Sequence, residues 1–180
     1  MIPSRERTVR ISVQQSGPDH DRDIWKALTV KFLTKRFISE YDPYLEDIYS
    51  SDELVDQQPV TVRVMDTCDQ EGPVNCERYL SWANAFLVVY SINSMESFKG
   101  CQLYLQTLSI HKNTFSSQTP IILVGNKLDM DRYRHVIFLW VFFIPGRLFD
   151  LCYMGLQEES SVFRLHRAEV CASILLLREG

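Results

Sequence analysis

Two unbroken apolar runs of strand length, "AFLVVYSI" at 85–92 and "PIILVG" at 120–125, constrain this chain more than any other feature. A strand with no polar face must be covered on both sides, which is the condition inside a parallel sheet flanked by helices. The segment between them opens with Asn93 and, three residues later, Glu96, a capping-box pattern. Phe98, Cys101, Leu105 and Leu108 then recur at helical spacing. Strand, helix and strand in this order make a right-handed parallel crossover. The expected fold class is therefore α/β, with a doubly wound, mostly parallel sheet.

Upstream, "VTVRVMD" at 60–66 alternates Val60, Val62 and Val64 against Thr61 and Arg63, a strand with one buried face. The turn-forming "VDQQP" before it joins it to "DIYSSDELV", so a hairpin with an antiparallel edge strand near 46–54 is expected. "ALTVKFLTKRF" has apolar Leu28, Phe32 and Phe37 with basic residues between them and reads as an amphipathic helix. The two ends follow these rules less closely. "TVRISVQ" offers one strand with Val9, Ile11 and Val13 on a single face, followed by an acidic loop, "QQSGPDHDRD". Residues 135–180 show no clear strand followed by a helix in the expected order. The chain thus divides into a divergent segment 1–26, a core 27–134 and a divergent segment 135–180, with the sheet incomplete at both ends.

A length of 180 residues suits one α/β domain, and 46% hydrophobic with 23% charged residues is ordinary for a globular protein. A net charge of -4 gives no general attraction to nucleic acid or anionic lipid. The 5 cysteines form no C-x-x-C pair and read as reduced cytosolic thiols, so a cytoplasmic location is expected. The opening "MIPSRERTVRIS" lacks the apolar core of a signal peptide, and "LLLREG" is not a prenylation box, so no lipid anchor is expected. The longest apolar run, Val136 to Ile144, is stopped by Pro145 well short of a bilayer span.

Ligands of open α/β sheets sit beyond the carboxyl ends of the strands. After "PIILVG" stand Asn126, Lys127 and Asp129. A carboxylate at Asp129 can accept from both N1–H and the exocyclic amine of guanine. Adenine offers no such pair and would leave the carboxylate unsatisfied. Asn126 can bridge loop and base, and the aliphatic stem of Lys127 can cover the ring face. A polar turn closing a strand is the bland alternative for these residues, as a turn cap is for Asp66 at the end of "VTVRVMD".

Together with "EYDPYLED", "DTCDQE", "ERYLSWANAFLVVYS" and "GNKLD", in that order, these blocks resemble the Ras-like small GTPases over residues 27–134. The resemblance implies a P-loop NTPase fold of the small G-domain type. It also implies GTP and GDP as ligands, Mg²⁺ as cofactor, hydrolysis of GTP to GDP and phosphate, and a signalling switch that meets effector or regulator proteins at the 41–54 edge. Asp66 would hold Mg²⁺ through water, and Gln70 would orient the attacking water. The departures are as specific as the matches. Where the family has G-x-x-x-x-G-K-[ST], this chain has "PDHDRDIWK", and none of its 7 glycines is followed by Lys. Lys26 falls where the hydroxyl ligand of Mg²⁺ belongs, or one place late for the phosphate-binding Lys. Tyr44 replaces a metal-binding Thr, Asp69 a glycine, and "CYMGLQ" the Ser-Ala-Lys loop that buttresses guanine. The expectation is a degenerate G-domain with impaired phosphate binding. The alternatives are a non-catalytic Ras-like interaction module, or a mis-spliced product without activity: every Val codon begins with GT, and the resemblance stops just before Val136.

Overall fold

The computed structural model describes residues 7–15, 47–55, 57–67, 77–115, 119–136 and 150–153. They contain six strands: β1 (Arg7–Gln15), β2 (Asp47–Val55), β3 (Gln58–Asp66), β4 (Ala85–Ser91), β5 (Ile121–Asn126) and β6 (Asp150–Tyr153). The helices are α1 (Glu77–Trp82) and α2 (Met95–Phe115), and a 3-10 segment, Leu128–Tyr133, follows β5. The strands form one sheet in the order β2-β3-β1-β4-β5-β6. β2 pairs antiparallel with β3, while every other neighbouring pair is parallel. The expected class, hairpin and antiparallel edge strand are all present.

Each strand's pattern explains its place. β4 and β5 are buried along their whole length, as two unbroken apolar runs require. Val60, Val62 and Val64 of β3 share one face with Val9, Ile11 and Val13 of β1 and with Ala85, Leu87, Val89, Ile122 and Val124. On the other face Phe86, Val88, Tyr90, Ile121 and Leu123 meet Phe98, Cys101, Tyr104, Leu105 and Leu108 of α2, and Tyr79 of α1. Tyr90 and Phe98 meet edge to face with ring centroids 5.2 Å apart, a favoured aromatic geometry. The 21-residue α2 thus buries the stripe its spacing announced.

Three sequence expectations change. The helix cap is Ser94 and not the Asn93–Glu96 box: the Ser94 Oγ accepts from the Ser97 N–H at 3.2 Å. The chain leaves β4 in a turn in which the Ser94 N–H donates to the Ser91 carbonyl at 3.0 Å, so the helix begins one residue later and Glu96 lies exposed. The N-terminal strand is central, hydrogen-bonded between β3 and β4. Residues 135–180 do supply a strand, β6, which pairs parallel with β5 from Ile122↔Asp150 to Gly125↔Tyr153; four residues are too few to show a period. Val136 belongs to the core, buried with the α2 cluster, and its N–H donates to the Ile92 carbonyl at 2.9 Å. The helix expected from Ala27, the acidic loop, and Lys26, Tyr44, Asp69 and Gln70 lie outside the described residues.

Candidate functional site

The carboxyl ends of the five parallel strands β1, β3, β4, β5 and β6 lie along one border of the sheet, and the strand order reverses at β1, where ligands of doubly wound sheets bind. Register sets the polar residues there: Val13 stands opposite Asp66, and Ser91 opposite Asn126. Asp66 and Asn126 end β3 and β5, three inter-strand gaps apart, or roughly 14 Å at about 4.8 Å per gap. A nucleotide extended from base to terminal phosphate can span such a distance.

The turn after β5 is built by Asn126. Its backbone carbonyl accepts from the Ile92 N–H at 3.1 Å, which fixes the strand end against β4. Its buried side chain folds back, with Oδ1 accepting from the Lys127 N–H at 2.7 Å. Lys127 has φ 66 and ψ 38, the left-handed region that a residue with a Cβ seldom enters. It is only 6% exposed, so its stem is covered. The Lys127 carbonyl then accepts from the Met130 N–H at 2.8 Å, starting the 3-10 segment whose first turn carries the exposed Asp129. Asn126, Lys127 and Asp129 are thereby brought into one tight turn.

At the other end of the row Asp66 is fully buried as the last residue of β3. Its oxygen ligands are the hard type that Mg²⁺ takes. Two further polar groups carry no strong signal in the sequence: next to Asp66 the Thr67 hydroxyl donates to the Val13 carbonyl at 2.7 Å, and at the end of β4 the Ser97 hydroxyl accepts from the Ser91 N–H at 3.0 Å. Their sequence signals, a Thr directly after a strand-ending Asp and a Ser in the first turn of a helix, are faint. Among the described residues no group of three or more His, Cys, Asp and Glu side chains is placed to hold a metal by itself. Nor is any helix among them long and apolar enough to cross a membrane.

A sheet of this order, with its antiparallel edge hairpin and a polar turn after the second buried strand, is that of a small G-domain. The model of the Ras family matches residues 25–139. Among known proteins the chain is 68% identical to Ras-like protein family member 12 of Danio rerio over 134 residues, 74% of this chain and 50% of that protein. It is 63% identical to Ras-like protein family member 12 of Homo sapiens over 110 residues, 61% of this chain and 41% of that one. It is 39% identical to the Ras-related and estrogen-regulated growth inhibitor of Homo sapiens, again over 110 residues, 61% of this chain and 54% of that protein. The chain belongs to the Ras family. It spans about half the length of the curated relatives it matches.

Proposed function

We propose that this chain recognises guanine nucleotides through the turn after β5 and holds their phosphates weakly, as a Ras-type switch with an impaired grip. The observation that carries this reading is the Asn126–Lys127 turn. A buried amide locks a lysine into a left-handed backbone, and an exposed carboxylate follows two residues later. Strain of this kind, about 1–3 kcal/mol, persists where its surroundings enforce it and concentrates at functional positions. Asp129 pairs with the guanine donors, Lys127 covers the ring with its stem, and Asn126 holds the turn. Asp66 supplies a carboxylate for Mg²⁺, which would offset phosphate charge when bound.

The phosphate side carries the impairment. A Gly-rich loop ending in Lys would have supplied about five or six donors, each contributing roughly 1.5–3 kcal/mol when charge-assisted. Even allowing for non-additivity, their loss removes on the order of 8 kcal/mol, nearly six decades in dissociation constant. Tyr44 stands where the metal-binding Thr belongs, Lys26 falls at the place of the hydroxyl ligand of Mg²⁺ or one place late for the phosphate-binding Lys, and Asp19, Asp21 and Asp23 oppose phosphate charge. Hydrolysis of GTP to GDP and phosphate, with Gln70 orienting the water, is therefore slow in this chain, and the protein works in the cytoplasm. Calorimetry or fluorescent-nucleotide titration of the full chain in millimolar Mg²⁺ tests the reading, with a millimolar dissociation constant expected. One below about 1 μM would overturn the weak-grip half, and equal weak binding of GDP and ADP would overturn the base-recognition half.

A second reading rests on the sheet's border. β2 pairs only with β3 among the described strands, and Ile48 and Leu54 on it are 38% and 77% exposed. An edge strand with apolar side chains to offer suits strand addition by a partner protein. The 41–54 edge would then meet effector or regulator proteins whether or not nucleotide turns over.

A further inference from the structure

A polar cluster lies in the middle of the sheet, where an apolar residue would have packed without desolvating anything. Ser12, Gln14 and Thr67 are 0%, 2% and 2% exposed. The Thr67 hydroxyl donates to the Val13 carbonyl at 2.7 Å and stands 3.3 Å from the Gln14 Oε1; the Gln14 Nε2 donates to the Ser12 Oγ at 2.8 Å. The last backbone pair of β1 and β3 is Val13↔Asp66. The Thr67 bond therefore extends the pairing with β1 one residue past Asp66, at the place where β3 leaves the sheet while β1 runs on beside β4 to Gln15. A three-centre hydroxyl of this kind removes the freedom of the backbone on the far side of the carboxylate.

We infer that Thr67, backed by Gln14, is a positioning residue for the Asp66 carboxylate, holding it at a fixed depth relative to the end of β1 so that it can meet a phosphate-bound divalent cation. The inference rests on the guanine-nucleotide reading above. It predicts a defect confined to the metal-dependent part of binding. Groups that orient a metal ligand without touching the metal typically matter by about 10–100-fold in metal affinity.

The test is an NMR titration of the full chain with GDP, once with millimolar Mg²⁺ and once with EDTA. In Thr67→Val the gain in GDP affinity brought by Mg²⁺ should fall by about 10-fold or more, with affinity in EDTA unchanged. Thr67→Ser, which keeps the hydroxyl, should restore the gain. Gln14→Met, which leaves the Thr67–Val13 bond in place, should show a smaller loss in the same direction. A full Mg²⁺ gain in Thr67→Val would overturn the inference. So would equal losses with and without Mg²⁺, which would mark Thr67 as a support of the fold alone. If Thr67→Val shows no cooperative melt, Gln14→Met decides, and a wild-type Mg²⁺ gain there is the overturning result. An absence of GDP binding in the wild-type chain would fell the guanine-nucleotide reading itself, and that outcome is visible before any variant is made.

Discussion

Lys127 sits in a left-handed conformation that costs a residue with a Cβ about 1–2 kcal/mol, and the Asn126 Oδ1, which accepts from its N–H at 2.7 Å, helps to hold it there. Removing that acceptor leaves the Lys127 N–H without its partner inside a buried turn. Asn126→Ala should therefore destabilise the nucleotide-free chain by about 1–3 kcal/mol, read as a lower urea midpoint at constant slope. An unchanged midpoint would mean that the turn holds itself. In the proposed reading Asp129 carries the chemical choice. In the proposed site Asp129→Asn replaces an acceptor pair by a group that can also donate, so preference should move from guanosine towards xanthosine nucleotides, whose base presents an acceptor at that edge. Millimolar NMR titrations with GDP and XDP measure the ratio, and an unchanged ratio would detach Asp129 from the base. The three residues of this turn were legible in the sequence because a fully apolar strand runs straight into them. The left-handed angle was not, and neither was the Thr67–Val13 bond, which joins residues 54 apart. Only the folded register brings those two groups together.

The entry to α2 shows how a local pattern misleads by one position. Asn93 with Glu96 satisfies the capping-box spacing, yet the turn from Ser91 to Ser94 shifts the start of the helix, so that the Ser94 hydroxyl meets the Ser97 N–H. Ser94→Ala should cost about 1 kcal/mol, while Glu96→Ala, on the exposed first turn, should cost a few tenths at most. A larger loss at Glu96 in thermal or urea melts would return the cap to the box. β4, α2 and β5 were readable because burial on two faces and a helical stripe are strong periodic signals. β1 was readable as a strand through Val9, Ile11 and Val13, but not as the centre of the sheet. Its second face carries Arg10, Ser12 and Gln14, the pattern of a half-exposed strand; in the structure Ser12 and Gln14 are buried against each other, and Arg10 lies over the Trp82 ring at 6.0 Å. β6 was not legible because a strand of 4 residues carries no period.

As one molecule the sheet is graded from a sealed interior to an open border. β4 and β5 are buried residue by residue, whereas β2 has one pairing partner among the described strands and alternates exposed with half-buried side chains. Amide hydrogen exchange should follow that gradient, slowest in β4 and β5 and fastest in β2, because the core strands open only with global unfolding. Exchange in β2 as slow as in β4 would require a partner on the open edge. The central place of the first strand has a further consequence, for synthesis. β1 leaves the ribosome first, yet its neighbours come late: Arg10 bonds Asn84 from 74 residues away. At roughly 5–20 residues per second, that separation of 74 residues leaves β1 without its β4 partner for about 4–15 seconds. The β2–β3 hairpin, local in sequence, can close meanwhile, but it exposes on β3 the very edge that β1 must occupy. Once β1 has paired with β3, the nascent chain still carries one unmatched edge of β1 until β4 emerges, and an engineered deletion of residues 1–15 would leave the facing edges of β3 and β4 without the strand that joins them.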